Sequence, residues 1–236
     1  MEQERLNRLD TMMRENRIIR MAWTDGEDRA CLLAALSPEV GHAKGPSACP
    51  AEVMPAWLAH LTPWLDDNPS DEAWPSIIQR YAGLAHRWSA LDAAGWERAR
   101  IGALIVIVRE ARAHVAPEHS KAIDAIDGVL AWLGRGAPET DRSAVSDAAR
   151  AARAETAEFA AEAATWAAAH AAGRAAEMAG VAAAHAAGAA HAAGAAAEMA
   201  GVAAAHAAGA AHDAAADRIA AGVLDAIEQE IEAADR

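Results

Sequence analysis

Five histidines in the second half of the chain, His170, His185, His191, His206 and His212, are separated by 15, 6, 15 and 6 residues. Imidazole ligates metals and changes charge near neutral pH, so a strip of this kind invites both readings. A single helix presents two ligands on one face at i, i+3 or i+4, and the five histidines show neither interval. Six residues turn a helix through about 600°, which leaves His185 and His191 about 120° apart. A shared metal would require two helices to meet, with His185 beside His206, for example. No metal or other cofactor is expected, and if one is held the residues available are His185, His191, His206 and His212. The alternative roles are hydrogen bonds between alanine helices, contact with solvent, or a polar strip facing a partner. Histidines buried together would loosen their packing when protonated below about pH 6.5.

Elsewhere, Glu110 and His114 form an i, i+4 carboxylate–imidazole pair. Cys31 lies in the apolar run Ala30–Leu33, where a buried thiol is expected, and Cys49 lies in a Gly/Pro/Ser stretch that suggests exposure. Two cysteines do not make a disulfide framework. The chain has no G-x-G-x-x-G, P-loop, G-x-S-x-G, H-E-x-x-H or C-x-x-C. No catalytic residue is predicted, and the chain is read as a non-enzyme.

The carboxylates are the more numerous resource. Through residue 138 there are 15 basic and 19 acidic groups; beyond it there are 6 and 15, giving a net charge of −13 overall. This balance opposes direct binding to nucleic acid and suits solubility or a basic, nucleic-acid-handling protein partner. Glu155, Glu158, Glu162, Asp213, Asp217, Asp225 and Glu228 are the candidate partner-facing groups.

The elements that must position these residues are helical. Apolar residues make up 53% of the 236, alanine dominates, and only 4% are aromatic, so the fold class is all-α. A first helix is predicted over 3–22. Thr24-Asp25-Gly26-Glu27 reads as a capping box opening a second helix that Pro38 ends, with 38–50 as loop. Trp57, Leu58, Leu61, Trp64 and Leu65 fall at helical spacing, as do Trp74, Ile77, Ile78, Tyr81, Leu84 and Trp88, with a turn at 66–70 and Ser70 or Asp71 as the next cap. Six of the eight Trp lie between 57 and 132. Their spacing is that of a bundle core, although indole faces also build ligand cages. Residues 93–115 contain the run Ile101–Val108, apolar all round, and predict a central, buried helix; Ile123 to Leu133 make the next, closed at Gly134-Arg135-Gly136. The division expected is a Trp-rich bundle over 1–136 continuing into an Ala/Gly/His-rich region of closely packed helices over 139–236.

In that second region Glu177–His191 recurs, identical at fifteen positions, as Glu198–His212, an offset of three heptads. Gly173, Gly180, Gly194 and Gly201 share one heptad position, and such a seam of small residues lets helix backbones approach closely. A single rod over 140–234 would reach about 140 Å, so several helices folding back are expected instead. Ile219, Val223, Leu224, Ile227 and Ile231 give the last helix an apolar stripe. The charged N-terminus is unlike a signal peptide. Met178–Ala197, although free of formal charge, lacks the large aliphatics of a membrane span, so a cytoplasmic protein without membrane contact is expected.

The stretch Trp166–Ala176, followed by Val181–Ala190 and preceded by the Ala125–Leu133 helix, resembles the alanine-, histidine- and glycine-rich half of a family of bacterial immunity proteins predicted to neutralise toxins of polymorphic-toxin systems. It covers about residues 120–212. Asp28–Pro38 and Val53–Leu61 are similar to uncharacterised proteins carried by phages and prophages, over about 28–90. These resemblances imply no catalytic residues. With the acidic balance, they favour a binding protein that blocks a bacterial effector by steric and electrostatic occlusion. A self-associating structural protein of a phage particle, using the Gly/Ala seam between chains as a homo-oligomer, is the second reading; a histidine-strip metal-binding protein is the third.

Overall fold

The computed structural model describes residues 3–25, 27–115, 117, 120–137 and 210–236. The fold is all-α. Among the described residues there are eight α-helices: α1 (Gln3–Arg14), α2 (Leu32–Leu36), α3 (Pro38–Ala43), α4 (Ala56–Asp67), α5 (Trp74–Ala85), α6 (Ala93–Ala113), α7 (Ser120–Gly134) and α8 (Ala210–Ala234). Short 3-10 turns occur at Pro46–Ala48 and Trp88–Ala90. Among the described residues, pairing of extended backbone is limited to isolated bridges from Ala30 to Ile18 and Thr24. The chain divides into two compact units, residues 1–100 with 224–236, and residues 101–223.

In the first unit α1 buries Leu6, Leu9 and Met12 and stops eight residues short of the predicted end. Asn16 explains the stop. It takes the left-handed conformation at φ 54°, while Arg17 N–H donates to the Met12 carbonyl at 2.8 Å and Asn16 N–H to that of Met13 at 3.2 Å. This is the Schellman closure, and asparagine is second only to glycine at its turning position. Residues 17–31 then form an irregular strap rather than a helix. The Arg17 guanidinium donates to the Asp28 carbonyl, and Ile19 N–H to that of Ala30. Asp25 takes the part expected of Thr24, but in a turn: its carboxylate accepts the N–H groups of Glu27 and Arg29.

The second helix, predicted to open at the Thr24 capping box, is the five-residue α2, wholly buried, and its termini find partners nearby. Cys31 Sγ accepts Ala34 N–H at 3.4 Å, Asp66 accepts Leu32 N–H at 2.9 Å, and Arg8 donates to the Ala34 carbonyl at 2.9 Å. Without these a buried helix of this length would leave its end groups unpaired. Pro38 both ends α2 and occupies the first turn of α3, where a missing N–H costs nothing. The predicted loop over 38–50 is therefore half helical. α2 packs on α1, α3 and α4, and α1 also meets α5.

α4 and α5 follow the predicted pattern. Neither Ser70 nor Asp71 is the cap of α5, whose N-cap is Ala73 without a side-chain bond; Ser70 instead closes the turn before it, its Oγ accepting Ala73 N–H at 3.2 Å and its carbonyl accepting Trp74 N–H at 2.9 Å. The C-terminal part of α8 belongs to this unit and buries Leu224, Ile227 and Ile231.

In the second unit Val108, Val115, Ile126, Val129, Trp132 and Leu133 form the core, with Ile101, Leu104 and Ile105 packed against it. The apolar run of α6 is half-buried at Ile101 and from Leu104 to Ile107, not enclosed on all sides as its composition predicts. α7 ends in a second Schellman closure: Ala137 N–H donates to Trp132, Gly136 N–H to Leu133, and Gly136 sits at φ 81°. Gly222 of α8 meets α6 closely, since a Cβ there would lie 2.6 Å from Val106 Cγ1.

Candidate functional site

Three of the tryptophans converge on the first unit's surface. Trp57 opens α4, after Pro55 sets extended backbone and its carbonyl accepts the N–H groups of Leu58 and Ala59. Trp88 begins the 3-10 turn that follows α5. Trp96 lies in the first turn of α6, where Asp92 caps the helix by accepting Gly95 N–H at 2.7 Å and, through its carbonyl, Trp96 N–H at 3.0 Å. The ring of Trp96 stands edge-to-face with Trp57 (centroids 6.3 Å apart) and with Trp88 (5.8 Å).

Behind Trp88, Tyr81 makes a third edge contact at 5.3 Å. Its hydroxyl is fixed from below: the Thr62 hydroxyl donates to the Leu58 carbonyl at 2.8 Å and so accepts from Tyr81 at 2.8 Å. Burial pushes the Tyr81 phenol well above its ordinary range.

These rings, with Met54 and Leu91, line a cleft of about 450 Å³. Glu52 and Glu97 lie at its edge and are exposed, and no basic residue lines it. Glu97 is already paired with Arg100, at 2.5 and 2.8 Å. Trp88 is 3% exposed, and its indole N–H has no acceptor among the described residues. Chemically, the cleft offers aromatic side chains and negative charge. Ser89 supplies its one hydroxyl, and no histidine or cysteine is among the described residues that line it.

A second cleft of about 770 Å³ is lined by α1 and α5 and carries a His86–Asp10 pair at 2.9 Å. An aspartate holding an imidazole is half of an acid–base apparatus, but no Ser, Thr or Cys lines this cleft. Of the cysteines, Cys31 is buried and its thiol is pushed by burial up to about 11, so it is neutral at pH 7; burial raises Cys49 as well.

The residues singled out in the sequence are distributed differently. Asp225 and Glu228 are brought together on one cation, Arg80, with Asp225 at 2.6 Å. Further along, Glu230 of α8 pairs with Arg98, and Asp235, just past the helix end, with Arg87, both at 2.7 Å. Asp213 is exposed and Asp217 half-buried. Glu155, Glu158 and Glu162 lie outside the described residues, as do His185, His191, His206 and the side chain of His212, the 21-residue repeat and the Gly/Ala seam.

Glu110 and His114 are in contact at 3.0 Å, and Arg218 grips the same carboxylate. Although burial works to raise it, Arg218 and His114 hold Glu110 below its ordinary range. Among the described residues no three His, Cys, Asp or Glu gather as a metal site, and no helix is long and apolar enough to cross a membrane.

Glu52 and Glu97 were not foreseen as site residues. The available signal is the Trp spacing alone, which reads first as a bundle core, and Trp64 and Trp132 are buried. Compared with protein-family models, curated proteins and solved structures, the chain matches none.

Proposed function

We propose that this chain is a non-enzymatic binding protein that blocks a basic bacterial effector, a toxin or a phage-defence nuclease, by covering the effector's working surface. The observation that carries the reading is the Trp-walled cleft with a carboxylate edge, on a chain of net charge −13. Aromatic pockets ringed by charge are the usual anchors of protein interfaces, and an acidic surface speeds encounter with a basic partner. The resemblances over 28–90 and 120–212 supply the class of target.

The test is affinity capture. The purified chain is immobilised, host lysate is passed over it at moderate salt, and retained proteins are identified by mass spectrometry. One stoichiometric basic partner, released at high salt and inhibited by the free chain, is the expected result. Retention of nothing but copies of the chain itself, eluting as a large assembly, would overturn the reading in favour of self-association.

A further inference from the structure

The groups lining the Trp57–Trp88–Trp96 cleft specify what it accepts. Its only charged lining groups are carboxylates, and Glu52 forms no ion pair among the described residues, whereas Glu97 is held by Arg100. An occupant must therefore be cationic to match the edge. The Trp57 and Trp88 rings stand at 69–70° to Trp96, edge to face rather than stacked, and Trp96 is half-exposed. Indole is the best aromatic partner for a cation, and a planar guanidinium stacks on it while still pairing with a carboxylate. A lysine ammonium is a compact, strongly hydrated charge that gains less from this surface. The volume, about 450 Å³, is near the lower end for ligand pockets and suits one long side chain with its own peptide unit.

We propose that this cleft is an arginine-binding site: it takes the guanidinium of one arginine of a partner protein against the Trp96 ring, with Glu52 as its counter-charge. The inference rests on the binding-protein reading for its partner, but not for its chemistry, which small probes test directly.

The experiment follows the indole N–H resonances of the full-length chain by NMR during titration with N-acetyl-arginine methylamide. N-acetyl-citrulline methylamide, the neutral isostere, and N-acetyl-lysine methylamide are the comparisons. Saturable shifts at Trp57, Trp88 and Trp96, with Trp64 and Trp132 still, are expected for the arginine probe. Its affinity should exceed that of the citrulline probe by roughly tenfold, the combined effect of losing a cation–π contact and an ion pair. Glu52→Gln should weaken the arginine probe by about threefold, and Trp96→Leu should remove the preference for arginine over citrulline. Both positions are at least partly exposed, so neither change threatens the core.

Equal binding of arginine and citrulline probes, an unchanged affinity in Glu52→Gln, or shifts confined to tryptophans outside the cleft would each overturn the inference. Equal binding of the lysine probe would overturn the choice of guanidinium. Failure of the probes together with a captured basic partner would sink the arginine site and leave the binding reading standing; the opposite pair of results would do the reverse.

Discussion

Gly222 gives the sharpest test of how α8 meets α6 within the second unit. In a helix interior, replacing glycine by alanine stabilises by up to about 1 kcal/mol, because alanine loses less backbone entropy on folding. Here the added methyl would lie 2.6 Å from Val106 Cγ1 and 3.1 Å from Cγ2. Valine in a helix is nearly confined to one χ1 rotamer, so it cannot swing both methyls away, and relief must come from the backbones. Overpacking of this kind costs about 1–3 kcal/mol. The net expectation for Gly222→Ala is a loss of about 1 kcal/mol. Val106→Ala removes both offending methyls, and in that background Gly222→Ala should become stabilising by about 1 kcal/mol, the propensity gain alone. The change of sign gives a coupling of about 2 kcal/mol, read from the urea midpoints of the four proteins of a double-mutant cycle. If Gly222→Ala stabilises the wild-type chain, or acts equally in both backgrounds, the close approach of α8 to Val106 is not what keeps that position glycine.

Asp66 sets a pH dependence. Burial lifts its carboxyl from 3.8 to about 6, against the pull of its hydrogen bonds from Leu32 and Trp74. The folded state therefore holds a proton that the unfolded chain has released. The stabilisation, on the order of 3 kcal/mol, is complete below about pH 4 and lost as pH rises through about 6. Asp66→Asn should flatten the denaturation midpoint across that range, and a midpoint that climbs with pH in wild type but not in the variant would contradict this. Glu39 works in the opposite sense: hydrogen bonds from Arg5 hold it at about 2, so its smaller, solvent-screened contribution is present above about 4.5 and fades on further acidification. Arg5→Met should remove that acid-side loss from the stability curve. Asp92→Ala should cost about 1 kcal/mol as a lost helix cap and shift the Trp96 indole resonance, leaving those of Trp64 and Trp132 in place.

The parts of the fold that were legible in the sequence are those with long, regular apolar spacing. α4, α5, α7 and the end of α8 carry their buried faces at helical intervals, and Gly136 marks its own helix end. What escaped is held by single residues or by distant partners. Asn16 ends α1 through a left-handed turn that an arginine-rich, helix-compatible sequence conceals. α2 is too short to show a period, and its end groups are met by Asp66 and Arg8, 34 and 26 residues away. In the site the tryptophans were visible as a set. Glu52 sits on the turn before α4 and Glu97 on α6, however, and only folding places both at one edge.

The acidic excess must also be read through its pairing. Most of it lies beyond residue 138, and α8 with the residue that follows it supplies four carboxylates, Asp225, Glu228, Glu230 and Asp235, that the sequence leaves free to face a partner. In the first unit each meets an arginine, with Arg80, Arg87 and Arg98 closing the chain's end against residues more than 130 positions earlier. Such half-exposed pairs contribute about 1 kcal/mol or less each and are weakened by salt. Asp225→Asn with Glu228→Gln should therefore act first on the chain itself, speeding hydrogen exchange in the last turns of α8, with a smaller effect at low salt on affinity for a basic partner than Glu52→Gln alone. A large loss of partner affinity with unchanged exchange would place the electrostatic surface on α8 after all, and the cleft would then be an accessory to it.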